Sequence, residues 1–459
     1  MKIILSILIT FILAACKGNH LDIMPDLEDP SIVSKQLTVE EMHQDIDYLI
    51  KGALARHPEL SAYTNIDSLA QAAHQVKQEI TKPMIRTRFY RHIGKLNHLF
   101  NDGHSFLIWP YHEWQKLKEK GQLTFPFDVV ISRSGDIVIK HSYSNTMDTL
   151  TAGTVINKIN GVSSNELIES LQQYVGGETR LLREQVTASR FRLALWAVYG
   201  FIDDFEIEMT QNNSASTLII NKGQNWQQIK ATANNNSYYY KIIKPGVGYL
   251  YLEHFDIDPD EFEDFIDATF TEIKQDEISS LIIDIRDNPG GNTDTVTYLA
   301  RHLADKPFRL VSSVREKLNQ DNRGWFNYKG EVGNITNKEW TDWEKPIANY
   351  FKGDTYLLVS SISYSAAIVL ATTLKDNQLA TLVGETTGGF ANQTAQGNLF
   401  NLPNSQLRAY IATRTLVRPS GDLTRQGVVP HHLAYNSPDD IKSQRDAGIE
   451  RVLALIASK

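Results

Sequence analysis

Residues 360–367, with the sequence SSISYSAA, hold the serines whose position best suits nucleophilic chemistry. They follow a predicted buried strand and open a predicted helix. A serine hydroxyl at such a junction lies beside backbone N–H groups that have no partner in the helix. The positive end of the helix dipole also stabilises a developing oxyanion there. A serine at this place is a common helix N-cap as well, and taken alone the stretch favours that simpler explanation.

A glycine-containing turn follows another predicted strand. Residues 284–292 read DIRDNPGGN, so this strand ends in Pro289-Gly290-Gly291. Glycine has no side chain to block a close approach, and the backbone N–H groups of such a turn can contribute to an oxyanion hole. On its own, Pro-Gly-Gly is more often only a turn.

A histidine in a loop supplies the third candidate. Residues 101–105 read NDGHS, which places His104 just after a predicted helix. The ordinary pKa of an imidazole lies near working pH, so a loop histidine is a candidate general base. The chain has 13 histidines, however, and any one of them chosen blind is usually structural or solvated.

The combination and order of these three stretches resemble the tail-specific, or C-terminal processing, family of serine proteases (peptidase family S41), which includes tricorn protease. In that family the motif D-x-R-x-N-x-G-G ends a core strand, and the nucleophile precedes A-A at a helix start. The resemblance covers roughly residues 40–440. It implies that Ser365 is the nucleophile and that the oxyanion donors are the Ala366 N–H and a glycine N–H of Gly290-Gly291.

The family that the chain resembles has two branches, which differ in their general base. The Ser–Lys branch carries its lysine about two dozen residues after the serine, in a T-x-G-K-G stretch. Here the matching residues 386–390 read TTGGF, so Gly389 stands at the lysine position, and no lysine lies between Lys375 and Lys442. The tricorn-like branch takes its base from a histidine in the N-terminal helical region, and this comparison implies His104.

The acid that would orient the histidine is left open. Related sequences often carry a glutamate three residues before a G-V-x-P-D stretch. Here residues 427–431 read GVVPH, and Thr424 stands at the glutamate position. Asp422, Glu385 and Asp102 are the alternatives, and a further alternative is that no acid orients His104. A histidine without an orienting acid can still act, with a substantial loss of rate.

Composition limits the other kinds of chemistry. The chain has 459 residues, 42% of them hydrophobic and 22% charged, which is typical of a globular protein and not of a disordered or polytopic membrane protein. The net charge of -8 argues against general nucleic-acid binding. A single cysteine, Cys16, can form neither an intramolecular disulfide nor a cysteine-based metal site. Since no metal-ligand spacing or nucleotide-binding motif is present either, we expect no metal and no cofactor.

The position of that cysteine predicts a membrane anchor. Residues 1–15 have a lysine near their start and are otherwise apolar apart from two hydroxyl residues, a pattern that predicts an export signal peptide. The run ends in LAAC, which resembles the lipobox of bacterial lipoproteins, where the signal is cut before the cysteine and the thiol is lipidated. We therefore expect lipidation of Cys16 and an extracytoplasmic protein anchored to the inner or outer membrane of the cell envelope. The alternative is a plain secretory peptide with an incidental cysteine.

Hydrophobic periodicity indicates a multidomain α/β protein. Residues 16–36 are polar and are predicted to be a linker. Residues 37–120 show apolar residues at helical 4-3-4 spacing, which predicts an N-terminal helical domain. Residues 121–225 contain alternating strands and a stretch that resembles PDZ domains, so a PDZ-like, β-rich insert is expected. Strands and helices alternate in residues 226–459, which predicts an α/β catalytic core with crossover helices. The family resemblance implies a ClpP/crotonase-like fold for that core.

Together these features predict a lipid-anchored serine-type endopeptidase that cleaves extracytoplasmic proteins or peptides, with the PDZ-like domain selecting peptide ends. One alternative is a non-catalytic, ligand- or peptide-binding member of the same family, similar to interphotoreceptor retinoid-binding protein. Another is esterase or amidase action on small substrates at the same site. The combination of Ser365, His104 and the glycine turn favours catalysis, because a pure binding protein has no need of all three.

Overall fold

The computed structural model describes residues 23–143, 150–211, 214–220, 222–232, 237–323, 331–333, 336–337 and 340–459. The predicted signal peptide and the predicted lipidation site at Cys16 lie outside these residues. Within the described part of the chain, no helix is both long enough and apolar enough to cross a membrane.

Helices and strands alternate along most of the chain. The α-helices are α1 (Val39–Arg56), α2 (Ile66–Glu79), α3 (Arg86–Ile93), α4 (Tyr111–Glu119), α5 (Ser164–Leu171), α6 (Arg180–Ser189), α7 (Phe191–Ala194), α8 (Trp226–Thr232), α9 (Pro259–Gln275), α10 (Thr293–Leu303), α11 (Ala366–Asp376), α12 (Pro438–Lys442) and α13 (Ala447–Ala457). The strands are β1 (Ser105–Leu107), β2 (Leu123–Thr124), β3 (Phe127–Ile131), β4 (Ile137–Ser142), β5 (Val155–Ile159), β6 (Val162–Ser163), β7 (Phe205–Gln211), β8 (Ser214–Ile220), β9 (Gln224–Asn225), β10 (Tyr238–Lys244), β11 (Val247–Leu252), β12 (Ser280–Asp284), β13 (Ser313–Glu316), β14 (Thr336–Asn337), β15 (Asp354–Val359), β16 (Thr381–Gly384), β17 (Gln393–Asn401), β18 (Arg408–Val417) and β19 (His432–Leu433).

The N-terminal region is helical, as predicted, and its last helical segment ends immediately before the candidate base. The sequence predicts one helix from the 4-3-4 spacing of Phe89, Ile93, Leu96 and Phe100, and all four are buried. The α-helix ends at Ile93, and a 3₁₀-helix follows over Gly94–Phe100. The segment ends at Asn101, which has a φ of 49° and adopts the left-handed conformation expected of a C-terminal glycine. Asn is one of the few residues that tolerate this conformation, so the chain turns two residues before Gly103.

An antiparallel sheet forms the middle of the chain. Its strands lie in the order β3-β4-β5-β7-β8, with β6 paired to β5. β3 and β4 form an antiparallel hairpin around Gly135. The likeness of this region to PDZ domains stays a prediction.

The C-terminal α/β core contains a six-stranded sheet in the order β10-β11-β12-β15-β16-β19. All neighbouring strands from β11 to β19 run parallel, and only β10 and β11 pair antiparallel. β12 is buried along its whole length, and α9 and α11 are crossover helices between parallel strands. Because parallel strands end at the same edge of a sheet, the turn after β12 and the junction before α11 lie side by side.

A second, antiparallel sheet connects this core to the N-terminal helices. Its path is β1-β18-β13-β14, and β17 pairs with β18 in a long hairpin. The sequence predicts a hairpin with strands over residues 398–402 and 407–413. The first strand begins five residues earlier and ends one residue earlier than predicted, and the second begins one residue later and ends four residues later. The tip of the hairpin packs into the helical region: Phe400 is buried there, and Asp45 of α1 accepts hydrogen bonds from the backbone of Asn404 and Ser405.

The C-terminal segment is divided where the sequence predicts one helix over residues 439–457. It forms α12 and α13, and Asp446 caps the second helix by accepting a hydrogen bond from the Ile449 N–H. The same carboxylate binds Arg286, with contacts of 2.8 and 2.7 Å. This ion pair ties the start of α13 to the turn after β12, which explains the interruption.

Candidate functional site

Ser365 occupies the junction between β15 and α11 in a conformation that few residues adopt. It has a φ of 54° and a ψ of -119°, and its side chain makes no capping hydrogen bond to α11. The simple N-cap explanation is therefore wrong for this serine. Backbone strain of this kind costs roughly 1–3 kcal/mol and concentrates at functional sites. The surrounding contacts that hold it include the Tyr364 N–H on the Asn288 carbonyl and the Gln393 amide on the Ser365 carbonyl.

The glycine turn lies directly against Ser365. A Cβ atom placed on Gly290 would be 2.6 Å from the Ser365 Cβ, so only glycine fits. The Gly290 N–H donates to the Asn288 side chain at 2.8 Å and is not available to a ligand. In the described part of the chain, the N–H groups of Gly291 and Ala366 have no protein acceptor. Of the three predicted oxyanion donors, only the N–H groups of Gly291 and Ala366 therefore remain available to a ligand.

His104 lies beside Ser365. Its Nε2 atom lies 3.0 Å from the Ser365 Oγ, although 261 residues separate the two in sequence. The strand that follows, β1, pairs with β18 in the register Ser105 to Ile411, and this pairing fixes the ring at the site. Burial lowers the pKa of His104, and nearby Asp102 opposes that effect. The imidazole is consequently neutral near pH 7 and able to accept a proton.

Two hydroxyl groups face the other ring nitrogen of His104. The Nδ1 atom lies 3.2 Å from the Thr394 Oγ1 and 3.1 Å from the Tyr364 hydroxyl. Thr394 donates its proton to Asp102, and Tyr364 donates its proton to Glu178 at 2.9 Å. Each hydroxyl has one proton, so both can only accept at Nδ1. This arrangement requires the Nδ1–H tautomer of His104, which leaves Nε2 free to take the proton of Ser365.

Asp102 is a fully buried carboxylate with a complete set of donors. It accepts from the His104 backbone N–H (3.0 Å), the Ser105 hydroxyl (2.6 Å), Thr394 and His57 Nε2 (3.1 Å). The Glu59 N–H donates to Nδ1 of His57, so the proton of that imidazole is on Nε2. Burial alone would raise the pKa of Asp102, but these hydrogen bonds and the neighbouring histidines lower it to about 2. Asp102 is therefore ionised, and it reaches the His104 ring through the Thr394 hydroxyl.

Glu178 is the second acid connected to His104 through a hydroxyl. One carboxyl oxygen accepts the Tyr364 proton, whereas Oε2 is buried and has no partner among the described residues. Burial, together with the charge of Asp102, raises the pKa of Glu178 to about 8. This carboxyl is neutral at pH 7 and ionises only in mild alkali.

The other two candidate acids lie elsewhere. Asp422 is exposed and accepts from the Thr424 N–H and hydroxyl at 2.9 and 2.7 Å. Glu385 accepts from Ser361 at 3.1 Å and pairs with Arg133 at 3.3 Å. Both carboxylates thus have partners away from the His104 ring. Of the three acids proposed from sequence, only Asp102 adjoins His104.

Sequence reasoning missed Tyr364, Thr394, Glu178 and His57. Hydroxyl and carboxyl groups that meet across 186 to 292 residues leave no spacing pattern. One signal was available for Tyr364, since it directly precedes the candidate nucleophile. His57 directly follows a predicted amphipathic helix and shows no local feature that distinguishes it from the other histidines.

Comparison with known proteins identifies the C-terminal part of the chain. Residues 246–433, which include the glycine turn and Ser365, match the model of peptidase family S41. This stretch of the chain belongs to peptidase family S41. No curated protein matches the chain by sequence.

Solved structures extend the likeness beyond the S41 domain. Mature CPAF in complex with lactacystin has a TM-score of 0.67 and 15% identity over 91% of this chain and 97% of that one. Mature CPAF alone has a TM-score of 0.65 and 15% identity over 91% and 96%. At this identity the likeness shows the fold, and the share of the chain that it covers is larger than the S41 domain alone.

Two cavities meet at Ser365, and Ser365 and Gly291 line both. The larger has a volume of about 590 Å³, and apolar and aromatic side chains form most of its wall, including Phe106, Leu182 and Leu399. The smaller, of about 280 Å³, is bordered by polar residues such as Asn292, Asp294 and Gln396, with Trp340 beside them. No group of three or more His, Cys, Asp or Glu within the described ranges could hold a metal ion.

Proposed function

We propose that the protein is a serine-type peptidase with Ser365 as nucleophile and His104 as general base. The observation that carries this proposal is the 3.0 Å contact between Ser365 Oγ and His104 Nε2. Gly291 and Ala366, whose N–H groups have no acceptor among the described residues, line the same cavity as Ser365. A nucleophile, a base and oxyanion donors in one place are the components of acyl transfer.

The proposed reaction begins when Ser365 Oγ attacks the carbonyl carbon of the peptide bond and its proton passes to His104 Nε2. The carbonyl oxygen becomes an oxyanion, which accepts hydrogen bonds from the Gly291 and Ala366 N–H groups. His104 then gives the proton to the leaving amine as the C–N bond breaks. Water then gives a proton to the same imidazole and attacks the acyl ester. The ester C–O bond breaks, His104 returns the proton to Ser365 Oγ, and the new carboxyl end of the peptide leaves.

The larger cavity supports a substrate class. Its wall is mainly apolar and extends from the reacting pair into the space between the helical region and the S41 domain. Burying an apolar side chain there contributes binding energy without any polar group having to be matched. We therefore expect peptides or proteins with an apolar residue next to the scissile bond to be preferred.

A lipid anchor is part of the same proposal. It rests on the signal-like residues 1–15 and on Cys16, the only cysteine of the chain. The expected location is the extracytoplasmic side of a bacterial membrane. Metabolic labelling with a fatty-acid analogue should mark the wild-type protein and not Cys16→Ser, whereas equal labelling of both would exclude lipidation at this residue.

A fluorophosphonate probe tests the catalytic assignment without knowledge of the substrate. It should label the wild-type protein, label Ser365→Ala not at all, and label His104→Ala much more slowly. Equal labelling of the wild type and Ser365→Ala would refute the nucleophile assignment. No labelling of a folded wild-type protein, beside tight binding of an apolar ligand, would favour the non-catalytic alternative.

A further inference from the structure

We propose that Glu178 and Tyr364 form a positioning pair for His104, in which Glu178 acts on the imidazole through the Tyr364 hydroxyl. This inference rests on the proposed function and adds two residues to it. Among the described residues, the hydrogen bonds of Tyr364 and Glu178 lead to the His104 ring and not to the Ser365 hydroxyl, so both act through the base.

Tyr364 contacts His104 in two ways. Its hydroxyl lies 3.1 Å from Nδ1, and its ring lies against the imidazole with centroids 4.8 Å apart and an interplanar angle of 31°. The ring contact limits rotation of the imidazole, and the hydroxyl accepts the Nδ1–H. Both interactions favour the tautomer in which Nε2 faces Ser365.

Two glycines make room for this tyrosine. A Cβ atom on Gly103 would lie within 2.4 Å of the Tyr364 hydroxyl, and one on Gly389 would lie 2.3 Å from a ring carbon. Gly389 stands where the Ser–Lys branch of the resembled family carries its lysine. The Tyr364 ring therefore packs directly against the backbone from which that lysine would project. Its hydroxyl contacts His104, the base proposed here in place of the lysine.

The Tyr364 hydroxyl links the imidazole to Glu178. Its proton is donated to Glu178 Oε1 at 2.9 Å. A negative charge on Glu178 would strengthen that bond and make the tyrosine oxygen a better acceptor for Nδ1–H. The imidazolium that forms when Ser365 attacks would then be stabilised. A neutral Glu178 supports the geometry without supplying the charge.

The surroundings of Glu178 keep its proton bound up to mild alkali. Asp102 is the nearby anion that opposes ionisation, Tyr63 and Tyr364 are neutral neighbours, and Arg183 is the nearby cation. The backbone N–H groups of Glu178 and Gly103 also face the carboxyl. The effect of burial, which raises the pKa of Glu178, is larger than that of the hydrogen bonds, which lower it, and the pKa is raised to about 8. Asp102, by contrast, is ionised at every pH of interest, so only the Glu178 branch changes with pH near neutrality.

The test is the rate at which a fluorophosphonate probe labels Ser365, measured from about pH 5 to about pH 9.5. In the wild type we expect the rate to rise as His104 loses its proton and to rise again near pH 8 as Glu178 ionises. Glu178→Gln should match the wild type near pH 6 but lack the second rise. Above the step we expect its rate to be roughly 10- to 100-fold lower, the range usual for outer partners of metal-binding histidines.

Tyr364→Phe keeps the ring and removes the hydroxyl, so it should also lack the second rise. Tyr143→Phe is the matched control, because Tyr143 donates to Asp128 at 2.6 Å and lines neither cavity beside Ser365. It removes the same kind of hydrogen bond and should keep both rises.

The outcomes separate this inference from the proposed function. If Ser365 is labelled and the Glu178→Gln profile superimposes on that of the wild type, the positioning pair is refuted and the serine peptidase proposal stands. If both variants lose rate by one constant factor at every pH, their role is only structural, and the inference fails. If the wild type shows no labelling that depends on Ser365, both proposals fall.

Discussion

Glu178→Gln should stabilise the folded protein, and the gain should grow with pH. An unfolded glutamate titrates near 4.5, and the folded one titrates near 8. Between these values folding takes up a proton. The stability of the wild type therefore declines as pH rises through this interval, since the stability slope follows the difference in bound protons between the two states. Glutamine carries no such proton and removes the decline.

The size of the effect follows from the same two values. When the pKa of one carboxyl is raised from 4.5 to about 8 by folding, the free energy of unfolding of the protein falls by ~5 kcal/mol across that pH interval, at 1.36 kcal/mol per pH unit. This figure is an upper bound, because local opening that hydrates the carboxyl reduces the cost. Below pH 4.5 the two proteins should differ only by a constant offset from the changed side chain.

Urea unfolding of both proteins at closely spaced pH values measures the effect. At each pH the difference between wild type and variant cancels the titrating groups that do not interact with Glu178. Glu119→Gln, at an exposed position, serves as the control for the substitution itself. A difference that stays constant from about pH 5 to about pH 9 would show that the Glu178 carboxyl is hydrated in the folded protein, and the reasoning would be refuted.

Three further substitutions probe the same site. Gly389→Ala should cost about 1–3 kcal/mol in urea unfolding and abolish the labelling step near pH 8, because the new methyl group would displace Tyr364; an unchanged step would contradict this. Gly290→Ala should abolish fluorophosphonate labelling while circular dichroism stays native, because its Cβ would lie 2.6 Å from that of Ser365. Asp102→Asn should lose about 2 kcal/mol of stability above pH 3.8. That loss should diminish as pH falls toward 2, since the stabilisation from a depressed pKa disappears there; a loss independent of acid pH would exclude a charge effect.

Local patterns were enough to select the stretches around Ser365 and Gly290-Gly291 as candidates, but the roles proposed for them came from the family resemblance. Ser365 and the glycine turn each lie at the end of a buried strand, where parallel topology brings functional groups together. Each stretch, taken alone, also had a simpler structural explanation. His104 came only from a family resemblance, because nothing local separates it from the other histidines. Its distance of 3.0 Å from Ser365 depends on the pairing of β1 with β18.

The surroundings of the base were not predictable for a physical reason. Thr394 and Gln393 begin β17, but the sequence predicts a strand only from Asn398, because polar residues are unusual in a buried strand. Both are buried since their polar groups have specific partners: Thr394 binds Asp102, and Gln393 binds the Ser365 carbonyl. Such partners are known only after the fold brings distant segments together.

The pairing of β1 with β18 also determines when the reactive pair can exist. His104 is synthesised 261 residues before Ser365, and the strand that holds it in place is synthesised later still. A growing chain therefore carries the imidazole and the hydroxyl in segments that have no contact with each other. A chain cut between Leu407 and Arg408 would keep both side chains and lose the strand that aligns them. The contact between the two side chains is thus confined to molecules in which β18 has been synthesised and has paired with β1.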